Sequence, residues 1–76
     1  MFADLVLFEM SMRSRWDSLS RRERDVALAY ASGASYKEVA RSLALAPATV
    51  RHHLRAAYRK LQVSSKAALI KAVEKS

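Results

Sequence analysis

Two short signals, S-R-R-E at Ser20 to Glu23 and S-Y-K-E at Ser35 to Glu38, constrain the fold of this chain more than anything else in it. Each is a capping box, in which the serine hydroxyl accepts from the backbone N–H three residues on and the glutamate reaches back to the serine N–H. Both therefore open helices, and they stand only fifteen positions apart. That spacing holds one helix of about three turns and a tight turn, and nothing longer. Gly33, the one glycine, falls where the first helix must stop, near Ser32, and supplies the left-handed residue such an end favours. Pro47, the one proline, falls where a third helix can begin, because the first helical N–H has no partner to lose. One Gly and one Pro in 76 residues leave little of the turn chemistry that an all-β fold requires.

The signals predict an all-α domain of four helices over residues 19–76. The first runs to about Ser32, with Val26, Ala27 and Tyr30 inward and Leu28, about 200° from Val26, on the wet side. The second runs from Tyr36 to about Ala44 with Val39, Ala40 and Leu43 inward, and Leu45 sits in the turn that follows. The third covers 47–62, and the last runs from Ser65 to about Lys75, capped by Ser64 or Ser65. Residues 1–18 form a lead-in extension or linker. Within it Leu5, Phe8, Met12 and Trp16 recur at helical spacing, which suits a short amphipathic helix folded back near helix one or paired with a second subunit.

At 76 residues a single domain buries only about 60% of the surface its unfolded chain exposes, so the core has to be economical. The apolar share of 51% is ample, and its many alanines suit close helix packing. Without cysteine there are no disulfides and no thiolate metal sites. No apolar run reaches the roughly 18 residues a bilayer span needs. The opening MFADLVLFEM lacks a basic region and carries Asp4 and Glu9, so it does not read as a signal peptide, and the expected compartment is the cytoplasm. The charge is lopsided. Residues 1–36 hold five Arg/Lys and five Asp/Glu, whereas 37–76 hold nine and two, so the whole net charge of +7 lies in the second half. That asymmetry points to a polyanionic partner.

The segment ATVRHHLRAAYRKL, residues 48–61, contains no acid. On a wheel of 100° per residue Val50, Leu54, Ala57 and Leu61 cluster within about 60° and form a core stripe. Ala48, Arg51, His52, Arg55 and Arg59 fall within about 100° on the opposite side. A short helix with small Ala40 at a close approach, a turn bracketed by Leu43 and Leu45, and a second helix anchored by Val50 form the helix-turn-helix spacing. That arrangement projects the N-terminal half of its second helix into the DNA major groove, where arginine can donate two parallel bonds to guanine.

Read together, L-S-x-R-E-R from Leu19, Gly33, K-E-V-A from Lys37, T-V-R-x-H-L from Thr49 and K-L-x-V-S-S-K from Lys60 resemble the LuxR-type (GerE-like) helix-turn-helix domain of bacterial transcription regulators. The resemblance covers residues 19 to about 74. It implies four helices, double-stranded DNA as the partner, a homodimer formed through the last helix, RNA polymerase as a further partner, and no cofactor. Carried over position by position, it implies that Arg51, His52 and Arg55 reach base edges, and that Lys37, Thr49, His53 and Arg59 contact phosphate. Ala67, Ile70, Lys71 and Glu74, on the side of the last helix opposite Leu69, Ala72 and Val73, become the dimer seam, with Ile70 expected to stand exposed among charges. Members of the family usually carry a regulatory domain ahead of this one. The sequence departs from the family at Ala46, where Ser or Thr usually caps the recognition helix, and at Ala48, commonly polar. Losing that cap costs about 1 kcal/mol, partly offset by Pro47.

Competing readings are weaker on physical grounds. His52 and His53 are adjacent, about 100° apart, and cannot share one metal as an i, i+4 pair can. Asp17, Glu23, Asp25 and Glu38 are no acid–base constellation, since two are taken by capping boxes and no nucleophile or phosphate loop accompanies them, so no catalysis is expected. A sigma-factor region 4-like promoter-binding module shares S-Y-x-E-V-A and T-V-R, but normally stops after the recognition helix. A protein-interaction or heterodimerisation module that retains the fold has no use for Arg51 and Arg55. A membrane-surface role lacks a free apolar face beside the basic one.

Overall fold

The computed structural model of the chain describes residues 14–75. Within them four helices follow in order: α1 Arg21–Ala31, α2 Tyr36–Leu43, α3 Pro47–Leu61 and α4 Lys66–Lys75. A helical turn over residues 14–17 leads into α1, and no strand occurs among the described residues.

The helix starts follow the sequence chemistry closely. In the first capping box the Glu23 N–H donates to Ser20 Oγ at 3.2 Å and the Ser20 N–H to Glu23 Oε1 at 2.9 Å. In the second the Glu38 N–H donates to Ser35 Oγ at 3.2 Å and the Ser35 N–H to Glu38 Oε1 at 3.0 Å. Of the two candidate caps for α4, Ser65 is the one used: its Oγ accepts the Ala68 N–H at 3.1 Å. α3 begins at Ala46 with extended backbone and no side-chain cap, with Pro47 as its first residue.

The first three helices end alike. In α1 the Gly33 N–H donates to Tyr30 O at 3.2 Å and the Ala34 N–H to Ala29 O at 3.3 Å, a Schellman pair around Gly33 at φ 109. In α2 the same two bonds run from Ala44 to Arg41 O and from Leu45 to Ala40 O. In α3 they run from Gln62 to Arg59 O and from Val63 to Tyr58 O. The pivots there are Ala44 at φ 55 and Gln62 at φ 57, non-glycine residues in the left-handed region. These ends give up the lower strain of glycine, which marks both positions as improvable.

α3 packs on α1, α2 and α4, and α1 likewise touches the other three. The fully buried Val26, Val39, Val50, Leu61 and Leu69 bring every helix to one core, each stabilising the fold by about 1.5–3 kcal/mol. Tyr30, Leu43 and Val73, expected inward, are half-buried and pack against that core, as does Trp16 from the lead-in. The turn carrying Trp16 is tied down because Arg24 Nη2 donates to Asp17 O at 3.0 Å. Leu5, Phe8 and Met12 lie outside the described residues. Leu28 is 46% exposed on α1, on the side the helical wheel assigns to water. One expectation fails: Ile70 is half-buried and not exposed. It lies about 60° around α4 from Val73, but unlike Val73 it is not one of the side chains packed against the core.

Candidate nucleic-acid interface

α3 is fifteen residues long, about 22 Å, and its two sides differ completely. Val50, Leu54, Ala57 and Leu61 are buried in the core, and Ala56, which the wheel leaves outside the core stripe, is also buried but stands outside that cluster. Arg51, His52, Arg55 and Arg59 are exposed, as is Ala48. Thr49 and His53 are half-buried on the flanks, and the His53 ring meets His52 edge-on with centroids 5.9 Å apart. Lys37, at the second position of α2, is exposed. The arginines of α3 span about 12 Å from Arg51 to Arg59, close to the width of a major groove.

The positive charges of α3 are not equivalent. Among the described residues the ion pairs are Arg22–Asp25 at 3.7 Å and Lys60–Glu23 at 2.8 Å. Arg51, Arg55, Arg59 and Lys37 therefore face solvent without a carboxylate partner among those residues. Lys60 is different. The acid that balances it comes from α1, 37 positions earlier in the chain. Glu23 Oε1 accepts both Lys60 Nζ and the Ser20 N–H, so one oxygen caps α1 and ties it to the end of α3. Burial alone would push the Glu23 carboxyl up, but the hydrogen bonds and charge of Lys60, with the Ser20 bonds, together hold it below its ordinary value of 4.5.

Beside Arg55 the helices build a feature that the separate wheels do not reveal. Tyr36, the first residue of α2, stacks on Tyr30 of α1 with ring centroids 5.2 Å apart. Lys66 Nζ, at the start of α4, lies 4.2 Å from the centroid of the Tyr30 ring, a cation–π contact. Tyr36, Leu54, Arg55 and Tyr58 line an open groove of about 180 Å³ between α2 and α3. Burial pushes the Tyr58 phenol up, and the neighbouring phenols of Tyr30 and Tyr36 push it further. The one sequence signal for this cluster is Tyr36 itself, a large ring at an outward helix start next to Lys37.

On α4, Ala67, Lys71 and Glu74 are exposed around half-buried Ile70. Among the described residues no group of three or more His, Asp or Glu side chains is arranged to hold a metal, and no helix is long and apolar enough to cross a membrane.

A short helix, a tight turn and a longer helix whose outward face is basic define a helix-turn-helix protein. Residues 17–73 match GerE, the bacterial regulatory proteins of the luxR family, and the chain belongs to that family. It is 44% identical over 62 residues, 80% of its length, to the transcriptional activator protein CarR of Pectobacterium carotovorum. It is 41% identical over 49 residues, 64% of its length, to YhjB of Escherichia coli K12, named as an HTH-type transcriptional regulator. A third relative, Mb0914c of Mycobacterium bovis, bears the same kind of name and is 40% identical over 55 residues. The chain spans 25% of CarR, 24% of YhjB and 6% of Mb0914c. No solved structure gives a significant match.

Proposed function

We propose that this chain binds double-stranded DNA with sequence preference, as a bacterial transcription regulator or the DNA-binding part of one, with α3 laid in the major groove. The observation that carries the reading is the row of exposed Arg51, His52, Arg55 and Arg59, the arginines without a carboxylate partner among the described residues, on the outward side of a helix whose other side is the core. The names of the relatives, transcriptional regulators and an activator, support the same class. Arg51, His52 and Arg55 read base edges, while Lys37, Thr49, His53 and Arg59 hold phosphates. Residues 19–76 act as the binding domain and 1–18 lead into it. Two copies meet through Ala67, Ile70, Lys71 and Glu74, and RNA polymerase is the partner on promoter DNA. The role is one of binding, with no catalytic step.

Selection of bound sites from a random duplex pool by the purified chain at near-physiological salt tests this. An enriched inverted repeat is expected, and its spacing gives the separation of the two recognition helices. No enrichment by the folded chain would overturn sequence reading and leave an interaction module in its place. Arg51→Ala and Arg55→Ala should each relax base preference by about 1–3 kcal/mol if they bond guanine. Equal losses on all sequences would reassign them to phosphate.

A further inference from the structure

The groove between α2 and α3 has a composition that the assigned contacts do not use. Its walls are the Tyr36 and Tyr58 rings, its floor is Leu54, and its one charged lining residue is Arg55, which has no carboxylate partner among the described residues. No hydrogen bond from a Tyr30, Tyr36 or Tyr58 hydroxyl joins it to a protein acceptor among the described residues. Tyr36 and Tyr58 line the groove together with Arg55, so two phenols without a protein acceptor stand beside a guanidinium. Lys66 is not a lining residue; it sits over the Tyr30 ring, which itself stacks on Tyr36, one ring removed from the groove wall. Aromatic walls, neutral donors and one guanidinium, with no lining carboxylate, form a place for an oxyanion attached to an apolar body.

We infer that this groove seats one phosphodiester of the bound duplex, with the Tyr36 hydroxyl donating to a non-bridging oxygen and the sugar lying against the tyrosine rings. Arg55 stands at the boundary of the groove and the outward face of α3. Its five donors allow one edge of the guanidinium to serve the phosphate while another faces the base. An open groove with a single lining cation binds free phosphate poorly against water. A phosphate delivered as part of a duplex already held by α3 joins at high effective concentration. The inference rests on the DNA-binding reading and adds Tyr36, which neither the sequence pattern nor the family resemblance assigns.

The test is Tyr36→Phe in the full chain, which removes one hydroxyl and keeps the ring stacked on Tyr30. Binding to a duplex carrying the preferred site should weaken about three- to tenfold at every salt concentration, because a neutral donor is lost. The slope of affinity against salt should stay as in the wild type, whereas Arg55→Ala should lower it by about one. Replacing the phosphates one at a time by neutral methylphosphonate should reveal a linkage whose neutralisation weakens the wild type but not Tyr36→Phe. Wild-type affinity in Tyr36→Phe, or equal sensitivity of both proteins at every linkage, overturns the inference while DNA binding stands. Saturable binding of inorganic phosphate alone at this groove would make it a free-anion site and overturn the duplex seat. Failure of the wild type to bind any duplex overturns both readings together.

Discussion

Lys60→Met separates a charge that holds the fold from the charges that face the partner. Lys60 Nζ lies 2.8 Å from Glu23 Oε1, with side-chain exposures of 35% and 12%. At an effective dielectric of about 20 the gross attraction at that distance is about 6 kcal/mol, most of it offset by desolvating the carboxylate. Exposed pairs are worth about 0–1 kcal/mol, and breaking a buried one costs about 3–5 kcal/mol. With the lysine a third exposed to water and salt, the variant should lose about 1–2 kcal/mol. For a domain of this size that lowers the melting temperature by about 5–15 °C. Glu23 keeps its bond to the Ser20 N–H, so α1 stays capped and the helix content should not change. DNA affinity and its salt slope, measured well below the transition, should match the wild type because the Lys60 charge is already committed to Glu23. Arg59→Ala, one residue away, should instead leave stability nearly unchanged and reduce the slope by about one. Glu23→Gln combined with Lys60→Met should cost about 1 kcal/mol less than the sum of the singles, the mark of a direct pair. An unchanged melting temperature with a shallower salt slope would refute the reasoning and make Lys60 a DNA contact.

Three further outcomes follow from the caps and carboxylates. Glu38, like Glu23, is held below its ordinary value, here by the Ser35 N–H and hydroxyl. A lowered folded-state value means that both contributions are complete above the unfolded carboxylate range and vanish as pH falls through the folded values, so denaturation midpoints should hold above about pH 5 and drop below it. Glu23→Gln should flatten that drop. Ala46→Ser places a hydroxyl at the one start among α1 to α4 where the cap residue has no side-chain bond, and should raise stability by about 1 kcal/mol. Ala44→Gly relieves a left-handed alanine strained by about 1–2 kcal/mol and adds unfolded-state entropy of about half that, so the midpoint should rise by a net of about 0.5–1 kcal/mol at an unchanged denaturant slope.

What was legible in the sequence is what contiguous residues decide among themselves. A capping box needs only residues three apart, so Ser20 with Glu23 and Ser35 with Glu38 could be read directly and formed as read. Gly33 and Pro47 punctuate for the same local reason. Helical periodicity sorted Val50, Leu54, Ala57 and Leu61 inward and Arg51, His52, Arg55 and Arg59 outward, because a rigid 100° step leaves no other arrangement once one side is buried. Tertiary structure decided everything that depends on how helices approach one another. It gave Lys60 an acid from α1 that no inspection of the acid-free segment reveals, and it drew Ile70 partly under cover. It also set Tyr36 and Tyr58 beside Arg55, and joined Tyr30 to Tyr36 by ring stacking and Lys66 to Tyr30 by a cation–π contact. The pattern of a helix fixes which way each side chain points along its own axis. The distance and angle to the next helix come only from packing the whole core, and those decide which outward charges remain free to meet a partner.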